Sequence, residues 1–275
     1  MFSNKKYKRI DKPPFVSIIT VVLNGEKYFE ETIQSVINQN YPNIEYIIID
    51  GGSTDSTLDI IKKYEKNIDY WVSEPDHGLY DAINKGISVA KGEIIASLHS
   101  DDLYFYNNVV KRVVDEFMKD NELYWVYGDF CSIDENSKIK NIYRIPNYNW
   151  KMLLFSNYCY IPHPTTFFRK EVFNQVGHLD DRYKLSADYD FFLRLGDRYK
   201  AKRLKYPITK FRFHKKRLSE SKEKQAIEER KQIQEKYRFF KKKGHRLFYS
   251  LLILFKFKLL NLKVYFSRMK DILCV

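Results

Sequence analysis

Two pairs of acids stand where the local pattern turns from apolar to polar. Asp101 and Asp102 follow the β-forming run Glu93–Leu98 through His99 and Ser100. Adjacent carboxylates at the mouth of a buried strand repel each other unless a cation or several donors compensate them. A divalent ion such as magnesium takes one or two protein carboxylates and completes its shell with water and phosphate oxygens, so a nucleoside diphosphate fits what remains. From spacing alone the simpler alternative stays open, in which Ser100 or the acids cap a helix starting after Leu103. The second pair, Asp188 and Asp190 in SADYDFFLRL, sits at i, i+2 and cannot share one helix face. One of them at most enters a crevice. The other caps or solvates a helix N-terminus, where negative charge gains up to about 1 kcal/mol, and capping by both is the first reading of the residues alone.

The elements that must position these acids are legible in the apolar periodicity. Phe15–Leu23 is a continuous apolar run, followed by Asn24-Gly25 and by Phe29, Ile33, Val36 and Ile37 at helical spacing. The spacing predicts strand, turn, helix. Ile44–Ile49 repeats the strand, Asp50-Gly51-Gly52 the turn, and Ser53-Thr54-Asp55 caps a helix to about Tyr64. A third round has a strand at Tyr70–Val72, a loop over residues 73–78, and a helix with Leu79, Ile83, Ile87 and Ala90 on one face. Continuous apolar strands alternating with helices predict a doubly wound, mostly parallel α/β sheet with helices on both faces. In such sheets ligands sit outside the carboxyl ends of the strands. Asn24, Asp50, Glu74 with Asp76, and Asp101-Asp102 follow four consecutive strands, which is more polarity at one edge than capping requires. Beyond Tyr124–Tyr127 the alternation loosens into a softer, acceptor-facing half, with a helix over Asp188–Tyr199 and a strand over Lys205–Phe213.

Composition narrows the class. The chain has 275 residues and a formal charge of +13, with 44% apolar residues, enough for a substantial core. The excess is local: residues 1–200 carry a net −4 and residues 201–275 a net +17. Three distant cysteines, Cys131, Cys159 and Cys274, fit neither a disulfide framework nor paired zinc spacing and suggest a reducing cytoplasm. The charged start MFSNKKYKRIDKPP lacks the apolar core of a signal peptide. Leu247–Phe255 is about half the roughly 20 residues of a spanning helix.

Taken together the motifs resemble the family 2 glycosyltransferases, sugar-nucleotide-dependent enzymes of the GT-A fold. The likeness runs from about Val16 to Phe213 and is densest in VSIITVVLN, IIIDGGSTDST, SEPDHGLYDAINKGI, AKGEIIASLHSDD and HPTTFFRK…GHLDDRYKLSADYDFFLRL. It is similar above all to the bacterial branch that builds capsule, O-antigen and exopolysaccharide repeat units. The resemblance implies that Asp102 is the preferred ligand of Mn²⁺ or Mg²⁺, with Asp101 on donor ribose, sugar or metal. It implies that Asp50 lies near the base, with Thr20 and Asn24 lining the same cleft. Gly51 stands where many relatives carry a second acid, which leaves base selectivity open. Asp188 matches the catalytic aspartate, although Ala187 replaces the glutamate that often precedes it. It would act as general base in an inverting transfer, with Asp190 as the alternative. By the same pattern Asp76, Asn84 and Lys85 face the donor, His163 the acceptor, and His214 the diphosphate or metal. Each of these five also reads as helix-surface polarity or a packed bystander.

The sequence divides into an N-terminal basic extension (1–14), a catalytic body (15–214, its nucleotide-sugar half ending at 128 and its acceptor half starting at 129), and a basic helical tail (215–275). In the tail, Ile227, Ile233, Tyr237 and Phe240 offer sparse apolar contacts, as expected of a solvated helix laid on the body. Further on, Phe248, Leu251, Leu252, Phe255, Leu259, Leu262 and Phe266 share one side of a helix, but Ile253, Phe257, Leu260 and Val264 make the other side apolar too. With Arg246, Lys256, Lys258, Lys263, Arg268 and Lys270, the segment 246–270 reads as a membrane-interface element or as packing against the body or a dimer partner. Cys274 is a weak lipidation candidate. The expected activity is transfer from a nucleoside-diphosphate sugar to a lipid-linked saccharide at the inner face of the cell membrane. Transfer to polyprenyl phosphate is the near alternative. A nucleic-acid binder is the distant one, disfavoured by an acidic crevice and the lack of an RNA-binding motif. A silent scaffold is disfavoured by the presence of Asp102 and Asp188.

Overall fold

The structure, a computed structural model, describes residue 10, residues 12–156, 158–214 and 222–237, and positions 251, 252, 255, 256 and 258–261. The expectations for residues 1–9, Arg246, Phe240, Phe248, Ile253, Phe257, Leu262, Lys263, Val264, Phe266, Arg268, Lys270 and Cys274 lie outside the described residues.

The alternating apolar runs form a nine-stranded mixed sheet. In chain order the elements are β1 (Val16–Val22), α1 (Phe29–Ile37), β2 (Ile44–Asp50), α2 (Thr57–Lys63), β3 (Tyr70–Ser73), α3 (Leu79–Val89), β4 (Ile94–Ser97), β5 (Leu103–Tyr104), α4 (Val109–Lys119), β6 (Trp125–Ile133), β7 (Ile139–Tyr143), α5 (Trp150–Leu154), β8 (Thr166–Arg169), α6 (Lys170–Val176), α7 (Ala187–Leu195), β9 (Ala201–Arg212) and α8 (Glu223–Lys236). The order across the sheet is β3-β2-β1-β4-β8-β6-β9-β5, with β7 paired to β6. The β3-β2-β1-β4 block is parallel, as is β6 with β9; the other pairings are antiparallel. Alternating side chains of β1 and β2 feed two cores. Ile19, Val21, Ile47 and Ile49 pack with α3 and α7 on one face. Ile18, Val22, Tyr46 and Ile48 pack with α1, α2 and α4 on the other.

The structure corrects three local expectations. No helix starts after Leu103: the chain enters the short strand β5, which pairs with β9, so capping is not what Asp101 and Asp102 do there. Helix α2 begins at Thr57, whose N–H Asp55 Oδ1 accepts at 3.0 Å, so of the expected cap only Asp55 serves the helix start; Asp50 draws the Ser53 amide and hydroxyl into its own turn. Helix α7 stops at Leu195, where Gly196 takes φ +58, a conformation that glycine adopts without strain. The weakly patterned stretch after Tyr127 holds the rest of β6, then β7 and β8. Phe167 and Phe168 of β8 are buried between β4 and β6, one in each core.

Candidate active site

Registry places the polar groups. Val22 of β1 pairs with Asp50 of β2, and Asp50 with Ser73 of β3, so these three strands end level with one another. β4 ends at Ser97, and His99, Ser100, Asp101 and Asp102 follow. One ligand atom from each of His99, Asp101 and Asp102 falls within 4.8 Å of the others. Asp102 is 2% exposed; its Oδ1 accepts the Arg212 backbone N–H at 3.0 Å, and its carbonyl accepts from the Thr32 hydroxyl at 2.9 Å. Asp101 is half-buried, and its Oδ2 lies 2.9 Å from His214 Nε2. The two carboxylates suit Mn²⁺ or Mg²⁺, and the imidazole, a nitrogen donor, favours Mn²⁺ of the two.

Arg212, missed in the sequence, organises this cluster. It is completely buried, donates Nε to the Asp101 carbonyl at 3.1 Å, and reaches Ser137 Oγ at 2.9 Å and Glu31 at 3.1 Å. Its guanidinium lies 4.4 Å from the centre of the Tyr28 ring. The available signal was a lone arginine between phenylalanines in the strand FRF, two residues before His214.

The expected donor residues divide into two groups. Asn24, at φ +51, accepts from the Thr54 N–H at 2.8 Å, and its own N–H donates to Ser53 Oγ at 2.7 Å, which ties the first strand-end loop to the second. Asp76 accepts the Gly78 N–H at 2.7 Å, and its Oδ2 lies 2.4 Å from where a Cβ on Gly51 would stand. The carboxylate of the third loop thus fills the space of a side chain at position 51. Lys85 is held beside it, with Nζ 2.8 Å from Glu74 and 3.2 Å from the Pro75 carbonyl. Three residues have their side chains engaged by the protein itself. Thr20 is fully buried and accepts from the Tyr46 hydroxyl. Asp50 is fully buried and engaged by Gly52, Ser53 and Ser73. Asn84 makes a two-way pair with the Leu179 backbone. These three shape the walls from behind.

His163 sits beside the metal-type cluster, stacked on His99 with ring centroids 6.3 Å apart. Burial and the neighbouring imidazole push its pKa down to about 3, which keeps the ring neutral. It is buried beside His99 rather than exposed at the surface.

On the far wall, Asp188 opens α7. Its Oδ1 accepts from the Tyr80 hydroxyl at 3.0 Å and from the Tyr189 N–H at 2.8 Å, and the charge of Arg230 on α8 also favours its ionised form. Burial raises its pKa above the usual carboxylate value, against the opposing pull of those two donors. Asp190 points elsewhere: it is 1% exposed and clamped between Arg194 at 2.7 Å and Lys236 of α8 at 2.9 Å. A charge so paired is an anchor between α7 and α8, not a group free to take a proton. Lys184, ahead of α7, donates to the His77 carbonyl at 2.9 Å and joins this wall to the third donor loop.

Helix α8 braces the same wall. Glu229 accepts from the Lys184 and Leu185 N–H groups at 3.1 and 2.9 Å, Ser186 donates to the Ala226 carbonyl, and Gln234 donates to the Ser156 carbonyl and the Tyr189 hydroxyl. Sequence reading took this stretch for a solvated helix because only Ile227, Ile233 and Tyr237 stood out. Polar groups carry much of its docking.

Residues 17–177 match the model of glycosyl transferase family 2. An uncharacterised glycosyltransferase of Mycobacterium tuberculosis is 31% identical over 182 residues, 66% of this chain and 68% of that protein. Among solved structures, S. aureus TarS 1–349 in complex with UDP is 18% identical with a TM-score of 0.61, covering 87% of this chain and 70% of that one. Against a longer TarS chain the match spans 42% of its length. A mannosyltransferase from Pyrobaculum calidifontis in complex with GDP-Man and Mn²⁺ is 17% identical with a TM-score of 0.57, covering 78% of this chain and 62% of that one. The chain belongs to glycosyltransferase family 2: it is a glycosyltransferase with the GT-A fold. The family match ends at residue 177, before Asp188, Arg212 and His214.

Proposed function

We propose that this chain is an inverting, metal-dependent glycosyltransferase that moves a sugar from a nucleoside-diphosphate sugar to a hydroxyl of a lipid-linked saccharide in bacterial surface-polysaccharide synthesis, at the inner face of the cell membrane. The observation that carries the reading is the convergence of His99, Asp101 and Asp102 at the end of β4, with His214 on Asp101. The nucleotides bound by two GT-A neighbours, UDP in one and GDP-Man with Mn²⁺ in the other, support it.

His99, Asp101 and Asp102 would hold the ion, with His214 orienting Asp101. When bound, the ion supplies positive charge to the diphosphate as the leaving group departs. Asp76, held over Gly51, and the Asn24–Thr54 contact border the donor's base and ribose. Asp188 Oδ2 takes the proton of the acceptor hydroxyl as its oxygen bonds to the anomeric carbon and the bond from that carbon to the diphosphate oxygen breaks. Attack opposite the leaving group inverts the centre. A base in position contributes about 10²–10⁴ in rate, and its raised pKa brings it closer to the working pH.

A screen of sugar nucleotides for diphosphate release, with Mn²⁺, with Mg²⁺ and with chelator, tests the reading. Turnover is expected with metal only, lost in Asp102→Ala and reduced at least 100-fold in Asp188→Asn. Full turnover by both variants would refute the site. Product analysis with polyprenyl phosphate against a primed lipid-linked sugar identifies the acceptor.

A further inference from the structure

The described part of the far C-terminal segment carries an ordered apolar stripe. Positions 251, 252, 255, 256 and 258–260 are helical, and Leu251, Phe255 and Leu259, spaced by four, are 57%, 65% and 57% exposed. Spacing of four puts them on one helix face. The segment is seated on the body through Leu252, at the border of this face, which packs against the core that contains Ile145 and α5, and through Asn261. Asn261, 6% exposed, accepts the Arg144 N–H at 2.7 Å and donates to the Arg144 carbonyl at 3.0 Å. A side-chain amide bonded both ways to a backbone amide fixes the segment's rotation, so the stripe is aimed outward by the fold. On the helical wheel the exposed Lys256 and Lys258 fall on either side of it.

From this geometry we infer that Leu251, Phe255 and Leu259 dock the enzyme on an anionic lipid surface, with the leucines and phenylalanine in the headgroup–acyl boundary and the lysines at lipid phosphates. Charge selects this occupant over a second copy of the chain. Residues 201–275 carry a net +17, so a copy brought against the stripe would bring like charge with it, whereas acidic headgroups bring the opposite sign. Among the described residues no helix is long and apolar enough to cross a membrane; contact of this kind lies flat on one leaflet.

The test uses the full chain and vesicles without donor or acceptor, so its failure and that of the proposed reaction are separable. Co-sedimentation is expected with phosphatidylcholine vesicles containing about one third phosphatidylglycerol, with release at high salt, and not with phosphatidylcholine alone. Replacing Leu251, Phe255 and Leu259 together by serine is expected to weaken partitioning at least tenfold while circular dichroism and diphosphate release with a soluble acceptor stay unchanged. Lys256→Glu with Lys258→Glu is expected to weaken it in the same sense. Equal binding by the triple serine variant would overturn the inference. So would no binding of the wild type to anionic vesicles, or a dimer by light scattering that the triple variant dissolves in the absence of vesicle binding.

Discussion

The Tyr80 hydroxyl, on a side chain 6% exposed, donates at 3.0 Å to the same oxygen of Asp188 that accepts the Tyr189 N–H at 2.8 Å. Each donor stabilises the carboxylate and opposes the upward pull of burial on its pKa. In Tyr80→Phe one donor is gone, the ionised form is less favoured, and the acidic limb of the rate profile moves to higher pH. The rate at the plateau falls about tenfold, the size of one lost hydrogen bond. A pH–rate series on both enzymes checks it; an unmoved limb would leave Tyr80 with a packing role alone.

The same burial has a consequence for stability. A carboxyl whose folded pKa is raised above its unfolded value contributes most when protonated, below the unfolded value near 4, and loses that contribution as pH rises through the folded value. At neutral pH the ionised Asp188 therefore works against the fold. Asp188→Asn keeps an oxygen for Tyr80 and Tyr189 and removes the charge. Its melting temperature is expected above that of the wild type at pH 7, with the difference vanishing below about pH 4, while turnover is lost. Thermal melts across that range decide the point.

Arg212 is buried among backbone carbonyls, Ser137 and Glu31. Arg212→Met leaves those acceptors without their donor and is expected to destabilise the fold by about 3 kcal/mol. Arg212→Lys, a point charge without the planar fork, restores little. Urea unfolding measures both, and a loss under about 1 kcal/mol for Met would contradict the role given to the guanidinium.

Glu229 lies far along the sequence from the family match, yet it receives the two N–H groups that lead into α7. Glu229→Ala strands both and frees the turn before Asp188. The expected result is a several-fold loss in kcat with a smaller change in donor KM, since Lys184 alone links this turn to the loop after β3. A change confined to donor KM would argue against this division.

Much of the site was visible in order along the chain. Asn24, Asp50, Asp76 and Asp101-Asp102 follow strands whose apolar runs are unmistakable, and the structure keeps all of them near the carboxyl ends of β1 to β4. Side-chain direction was not visible. Asp50 and Asp76 both looked like donor-facing acids, yet Asp50 turns into its own loop while Asp76 spreads over Gly51. Asp188 and Asp190 differ by two residues on one helix turn; Asp190's pair with Arg194, four residues on in the same helix, is local, and the docking of Lys236 of α8 completes the clamp that sets it apart. β5, β7 and β8 were missed because their burial comes from neighbours distant in sequence, and short strands carry little periodicity of their own.

The sequence by itself determined the layered α/β architecture, the edge at which polar groups gather, and the separation of a near-neutral body from a strongly basic C-terminal part. Apolar period and charge are local quantities, written residue by residue. Only tertiary structure decided which carboxylate is free and which is paired. It also decided that Arg212 closes β9 onto the Asp101–Asp102 turn and that α8 braces the start of α7. Those relations join residues 40 to 181 positions apart, where pairing depends on the register and docking of whole elements and not on the spacing of any one of them.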